Sequence, residues 1–129
     1  MKRAQYACLV IRALYELVRY EALLSLRGFQ GMQRELSRQP VAANRNCPEP
    51  EKAIWDAVLL ATCLYWKPVL CLQRSVCAVR LLRAHGVAGK LVIGYRPTPF
   101  FSHAWVEVDG RAVNASPAYQ KRLRVLYTV

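Results

Sequence analysis

The sequence predicts an α+β domain in which helices come first and a small antiparallel sheet follows. Three observations carry this: an apolar stripe at helical spacing near the N-terminus, a proline-bounded apolar stretch in the middle, and segments rich in β-branched and aromatic residues between turn formers towards the C-terminus.

Residues 4–27 read as a helix, because Tyr6, Val10, Ala13, Leu17, Tyr20 and Leu24 recur at alternating steps of four and three. Gln5, Arg12, Glu16 and Arg19 mark its other face, and Gly28 and Gly31 loosen its end. Packing on the rest of the domain is the expected use of this stripe, ahead of a partner-binding or membrane-surface role. Residues 37–50 are polar and carry Pro40, Pro48 and Pro50, so they read as a mobile linker with Cys47 exposed in it. Residues 51–66 return to helix, acidic in the first turn and then apolar through Ile54, Trp55, Val58, Leu59, Leu60 and Leu64. A helix apolar on most sides is expected in the core.

Lys67-Pro68 interrupts that helix, since the residue before a proline is pushed out of the helical region. A third helix is expected to start between Pro68 and Cys71 and to run to His85, with Gly86 as a left-handed stop. Leu91–Tyr95 and Ser102–Val108 read as strands separated by Arg96-Pro97-Thr98-Pro99. Asp109-Gly110 signals a hairpin into Arg111–Asn114, and Arg124–Thr128 offers a last strand. The length fits one compact domain, divided into an N-terminal helical segment (1–36), the linker (37–50) and a core (51–129).

A hydrophobic content of 54% with 21% charged residues excludes disorder and fibrous repeats. The net charge of +11 attracts acidic peptides, nucleic acid or anionic membranes without choosing among them. The basic residues are scattered and no nucleic-acid-binding signature accompanies them, so nucleic acid is not the expected partner. Five cysteines without zinc-site or disulfide-framework spacing fit reduced thiols in a cytoplasmic protein. Arg12, Glu16, Arg19 and Glu21 interrupt the N-terminal apolar stretch and rule against a signal peptide or a transmembrane segment.

Cys71 is the first candidate for chemistry. It falls in the opening turn expected after Pro68, where unpaired N–H groups and the positive end of the helix dipole favour a thiolate. Cys63 and Cys77 fall inside apolar helical stretches and read as packing residues. Of the two histidines, His85 reads as a helix cap, whereas His103 opens a strand that would hold a base rigidly. An imidazole beside a thiol can take its proton and later protonate a leaving amine. A helix-start cysteine followed by a strand histidine is the order found in papain-like and transglutaminase-like folds.

Cys71-Leu72-Gln73-Arg74-Ser75, Leu91-Val92-Ile93-Gly94-Tyr95 and His103-Ala104-Trp105-Val106-Glu107-Val108-Asp109-Gly110-Arg111 together resemble the transglutaminase-like peptidase half of the lasso peptide B proteins, the microcin-J-processing family. The resemblance runs from about Pro68 to Val125. It implies a transglutaminase-like or papain-like core and a cysteine protease that cuts the leader from a ribosomally made precursor, without a cofactor or metal. Cys71 and His103 fall on the family's nucleophile and base. The resemblance also implies a separate PqqD-like protein that binds the precursor's leader and an ATP-dependent lasso cyclase that acts afterwards. A chain of this length is expected to leave the leader-binding domain to a distinct polypeptide.

One position departs from the family pattern: an aspartate that follows valine and asparagine there is replaced in Val113-Asn114-Ala115. With a two-residue turn at Asp109-Gly110, Trp105 pairs with Asn114, and Asn114 shares a sheet face with His103, whose imidazole it could orient. A three-residue loop would bring Ala115 to that face instead. Three readings stay open: a peptidase using Asn114, a peptidase using another group or water, and a catalytically impaired binding or scaffold member that holds the leader or the cyclase. The Cys71 backbone N–H is the expected oxyanion donor, ahead of the Gln73 side chain.

Overall fold

The computed structural model describes residues 3–43, 50–113 and 123–129. Three helices, α1 (Arg3–Arg38), α2 (Pro50–Leu64) and α3 (Cys71–Ala84), precede strands β1 (Lys90–Pro97), β2 (Phe100–Val108), β3 (Arg111–Ala112) and β4 (Arg124–Thr128). The strands form an antiparallel sheet in the order β3-β2-β1-β4, the α+β architecture expected from the sequence. No helix among the described residues is long and apolar enough to cross a membrane.

The first helix differs from its sequence reading. It is interrupted at Gly28 (φ 70°, ψ −173°), where helix was expected to end, but helix resumes and continues to Arg38. Arg19 and Glu35 meet at 2.6 Å. Sixteen residues of straight helix would hold them roughly 24 Å apart, so the chain folds back at Gly28. Met32 and Leu36, one turn apart, bury themselves in the core and account for the second helical segment. The expected linker is therefore shorter at its start: residues 37 and 38 are helical, the Gln39 side chain donates to the Arg80 carbonyl (3.0 Å), and the Ala42 N–H donates to the Arg83 carbonyl (2.8 Å). Cys47 lies outside the described residues.

The second helix is less buried than expected. Ile54, Ala57, Val58 and Ala61 enter the core, but Leu59, Leu60 and Leu64 remain exposed, and Cys63 is exposed rather than packed. The third helix starts at Cys71, ends at Ala84 and is followed by Gly86 in the left-handed region (φ 85°). Its inner face joins it to α1: the Gln73 side chain donates to the Leu17 carbonyl (3.0 Å) and Arg80 pairs with Glu16 (2.6 Å). Cys77, fully buried, reaches the Ala13 carbonyl through its thiol (3.5 Å), and burial pushes that thiol's pKa up. An inert packing role suits it.

All three helices share one core with Leu91, Ala104, Val106 and Val108, so they cover one face of the sheet. Trp105, next along β2, points to the opposite face and is also buried. Gly94 lies beside its ring: a Cβ on Gly94 would sit 2.7 Å from Trp105 ring carbons and 3.0 Å from the Leu123 Cβ.

Candidate functional site

Cys71 is the first residue of α3, half-buried, and follows Leu70 in an extended conformation (φ −85°, ψ 169°). Among the described residues no side chain caps this helix start, so the backbone N–H groups of its first turn are open to a ligand or a developing charge. The direction in which α3 runs fixes where Cys71 sits. At the far end of the helix, Arg83 donates to the Gly89 carbonyl (3.0 Å), just before β1 begins at Lys90. Lys90 pairs with Glu107, whereas His103 pairs with Gly94 further along β1. The start of α3 therefore lies towards the His103 end of the sheet. The buried Ser75 hydroxyl, one turn after Cys71, donates to the carbonyl of Ala104, next to His103 (3.3 Å).

His103 is half-buried in a row of aromatic rings on one face of β2, 6.4 Å from Phe101 and 6.2 Å from Trp105 between centroids. Burial, and next the charge of Arg74, hold its pKa below the ordinary 6.5. The neutral imidazole, the form that can accept a proton, is favoured.

Arg74 is the residue that sequence reasoning left without a chemical role. It stands three positions after Cys71, hence on a neighbouring part of the same helical face. Its guanidinium lies 5.8 Å from the centre of the Trp55 ring, and its Nε is buried with no hydrogen-bond partner among the described residues. Its effect on His103 depends on α2 and β2 converging on α3, which no local spacing reveals. Tyr20 of α1 also borders the site: burial, and next the nearby Cys71, raise its phenol pKa.

Three other expectations meet the structure here. His85 accepts the cap role, with Nδ1 2.8 Å from the Leu81 carbonyl. Gln73, the lesser oxyanion candidate, is buried and donates to the Leu17 carbonyl. The turn at Asp109-Gly110 has two residues, both with positive φ (54° and 78°), and pairs Val108 with Arg111 and Glu107 with Ala112. The Val113 N–H continues the ladder to the Val106 carbonyl (2.9 Å). This is the register from which Asn114 was counted to the face of His103; Asn114 and Ala115 themselves lie outside the described residues.

Residues 14–128 match the transglutaminase-like superfamily. The chain is also similar to the microcin J25-processing protein McjB of Escherichia coli, with 41% identity over 56 residues, which cover 43% of this chain and 27% of McjB. The matched stretch thus spans about a quarter of that relative. No solved structure matches the chain.

Proposed function

Since the chain belongs to the transglutaminase-like superfamily, we propose that it is a cysteine peptidase that removes the leader from a lasso peptide precursor, with Cys71 as nucleophile and His103 as base. The observation that supports this reading is the buried Ser75–Ala104 hydrogen bond, which ties α3, one turn past the cysteine at its start, to β2 beside a histidine whose neutral form is favoured. The similarity to a microcin J25-processing protein supports the substrate class.

In this mechanism His103 takes the Cys71 thiol proton as sulfur attacks the carbonyl carbon at the leader–core junction. The Cys71 N–H donates to the oxyanion that forms. When the C–N bond breaks, His103 returns the proton to the departing core amine, and the leader remains as a thioester on Cys71. Water then attacks the thioester, giving its proton to His103, and the leader leaves as a carboxylic acid while the thiol is restored. Asn114 supports the reaction by orienting the imidazole in place of the family's aspartate.

The leader is delivered by a separate PqqD-like protein, and a lasso cyclase takes over the core. Delivery raises the local concentration of an otherwise disordered leader at the site. The test incubates the purified chain with a lasso precursor and its leader-binding protein and reads product masses, alongside Cys71→Ala. Cleavage at the leader–core junction that vanishes in the variant is expected. Cleavage undiminished in the variant removes Cys71 from the mechanism. No cleavage by either form favours a scaffold role, and Ala115→Asp then tells a disabled site from a binding protein.

A further inference from the structure

Phe101, His103 and Trp105 alternate along β2, so their side chains leave one face of the sheet, the face away from the helices. Their rings stand nearly parallel: Phe101 and His103 are tilted by 16° at 6.4 Å between centroids, and His103 and Trp105 by 22° at 6.2 Å. The imidazole therefore has an aromatic ring on either side of it along the strand. Directly across on β1 it meets no side chain, because its pairing partner is Gly94. That glycine lets the Trp105 ring lean over β1, where a Cβ would lie 2.7 Å from two of the ring carbons. Trp105, only 2% exposed, is the inner wall of the row. Phe101, 38% exposed, is the outer wall. Its ring is backed from the paired position on β1 by the Arg96 guanidinium, 5.8 Å from the ring centre. The Arg96 Nε donates to the Pro99 carbonyl (3.3 Å), which ties that side chain to the turn between β1 and β2.

We propose that Phe101 is a positioning residue for His103, whose imidazole plane it holds between its own ring and that of Trp105 so that the base keeps one setting towards its proton donor. The proposal rests on the peptidase reading. An imidazole has two side-chain torsions, and the one next to the ring is broad, so a half-buried histidine keeps a single setting only where its surroundings impose one. Near-parallel aromatic pairs at these separations attract, and an imidazole that turned out of the row would forfeit contact with both neighbours. Stacking also acts on the faces of the ring and leaves its edge, where the nitrogens lie, for proton transfer and for the orienting hydrogen bond assigned to Asn114. Of the two walls, Phe101 is the one whose loss the fold can bear, because Trp105 is buried and Phe101 is not.

The test compares the whole chain with Phe101→Leu, which keeps an apolar side chain but no ring, and with Phe101→Tyr, which keeps the ring. With a lasso precursor and its leader-binding protein, Phe101→Leu should lower kcat about tenfold while KM stays within about twofold, and Phe101→Tyr should recover most of the rate. Circular dichroism should be unchanged in both. The setting of the ring is read separately by NMR relaxation of the imidazole carbons, with His85, the other of the chain's two histidines, as the reference. The His103 ring should become more mobile on the picosecond to nanosecond scale in Phe101→Leu but not in Phe101→Tyr, and His85 should stay as it is. An unchanged kcat in Phe101→Leu, a loss that Phe101→Tyr does not recover, a change in KM alone, or a His103 ring as rigid without Phe101 as with it would each overturn the proposal. A chain that cleaves nothing but shows the expected change in ring mobility would keep Phe101 as the support of His103 and fail the peptidase reading alone.

Discussion

The Ser75 hydroxyl donates to the Ala104 carbonyl across 3.3 Å, fastening α3 one turn past Cys71 to β2 one residue past His103. Because both groups are buried, this bond helps fix how the helix start approaches the strand. Ser75→Ala should cost about 1 kcal/mol, or roughly 3–5 °C in melting temperature. Cleavage should fall by more than that loss of stability explains, since misplacement of a reacting group is costly. Thermal melts paired with turnover at a temperature where the variant is folded would check this.

Gly94 has a comparable constraint on the other face of the sheet. A methyl group there would meet Trp105 at 2.7 Å, opposite His103 in the pairing register. Gly94→Ala should therefore destabilise the fold by about 1–3 kcal/mol through overpacking. Urea unfolding would measure it, and an unchanged midpoint would show that the ring yields without cost.

The depressed pKa of His103 has a stability consequence with a definite sign. The unfolded chain takes up this proton near 6.5 and the folded chain only at lower pH, so the folded state is disfavoured as pH falls below 6.5. Glu21 and Glu35, held below the usual 4.5 chiefly by Lys67 and Arg19, contribute only at more acid pH. Urea midpoints at about pH 7.5 and about pH 5.5 should differ in the native chain, and differ less in His103→Gln.

Arg74 should reveal itself in the pH profile. Removing its charge in Arg74→Met relieves the repulsion of the imidazolium, so His103 should titrate at higher pH. The acid limb of the cleavage profile should move upward accordingly. A limb that stays in place, with only the rate reduced, would leave Arg74 a packing partner of Trp55.

The parts of the fold that were legible in the sequence are those set by local chemistry. Asp109-Gly110 supplies two residues that tolerate positive φ, and the structure closes the hairpin on them. Lys67-Pro68 separates α2 from α3, and Gly86 ends α3. The fold-back of α1 was not legible, because Gly28 marks an interruption without saying whether helix resumes. The step from Met32 to Leu36 held that information but spans only one turn. Burial of α2 was overestimated, since apolar composition cannot distinguish a core face from a groove left open. Of the candidate site residues, Cys71 and His103 stood out by residue type and position, whereas the influence of Arg74 on His103 and the nearness of Tyr20 to Cys71 arise from tertiary packing.

The central claim is that Cys71 is the nucleophile and His103 its base, and its most direct test is the rate at which each cysteine reacts with iodoacetamide near neutral pH, resolved by peptide mass. Cys8 and Cys63 are exposed and serve as internal references, while buried Cys77 should be protected. The account predicts that Cys71 is alkylated fastest despite being half-buried, and that His103→Ala removes this advantage without changing Cys8 or Cys63. Alkylation of Cys71 no faster than the two exposed thiols, with or without His103, would contradict it.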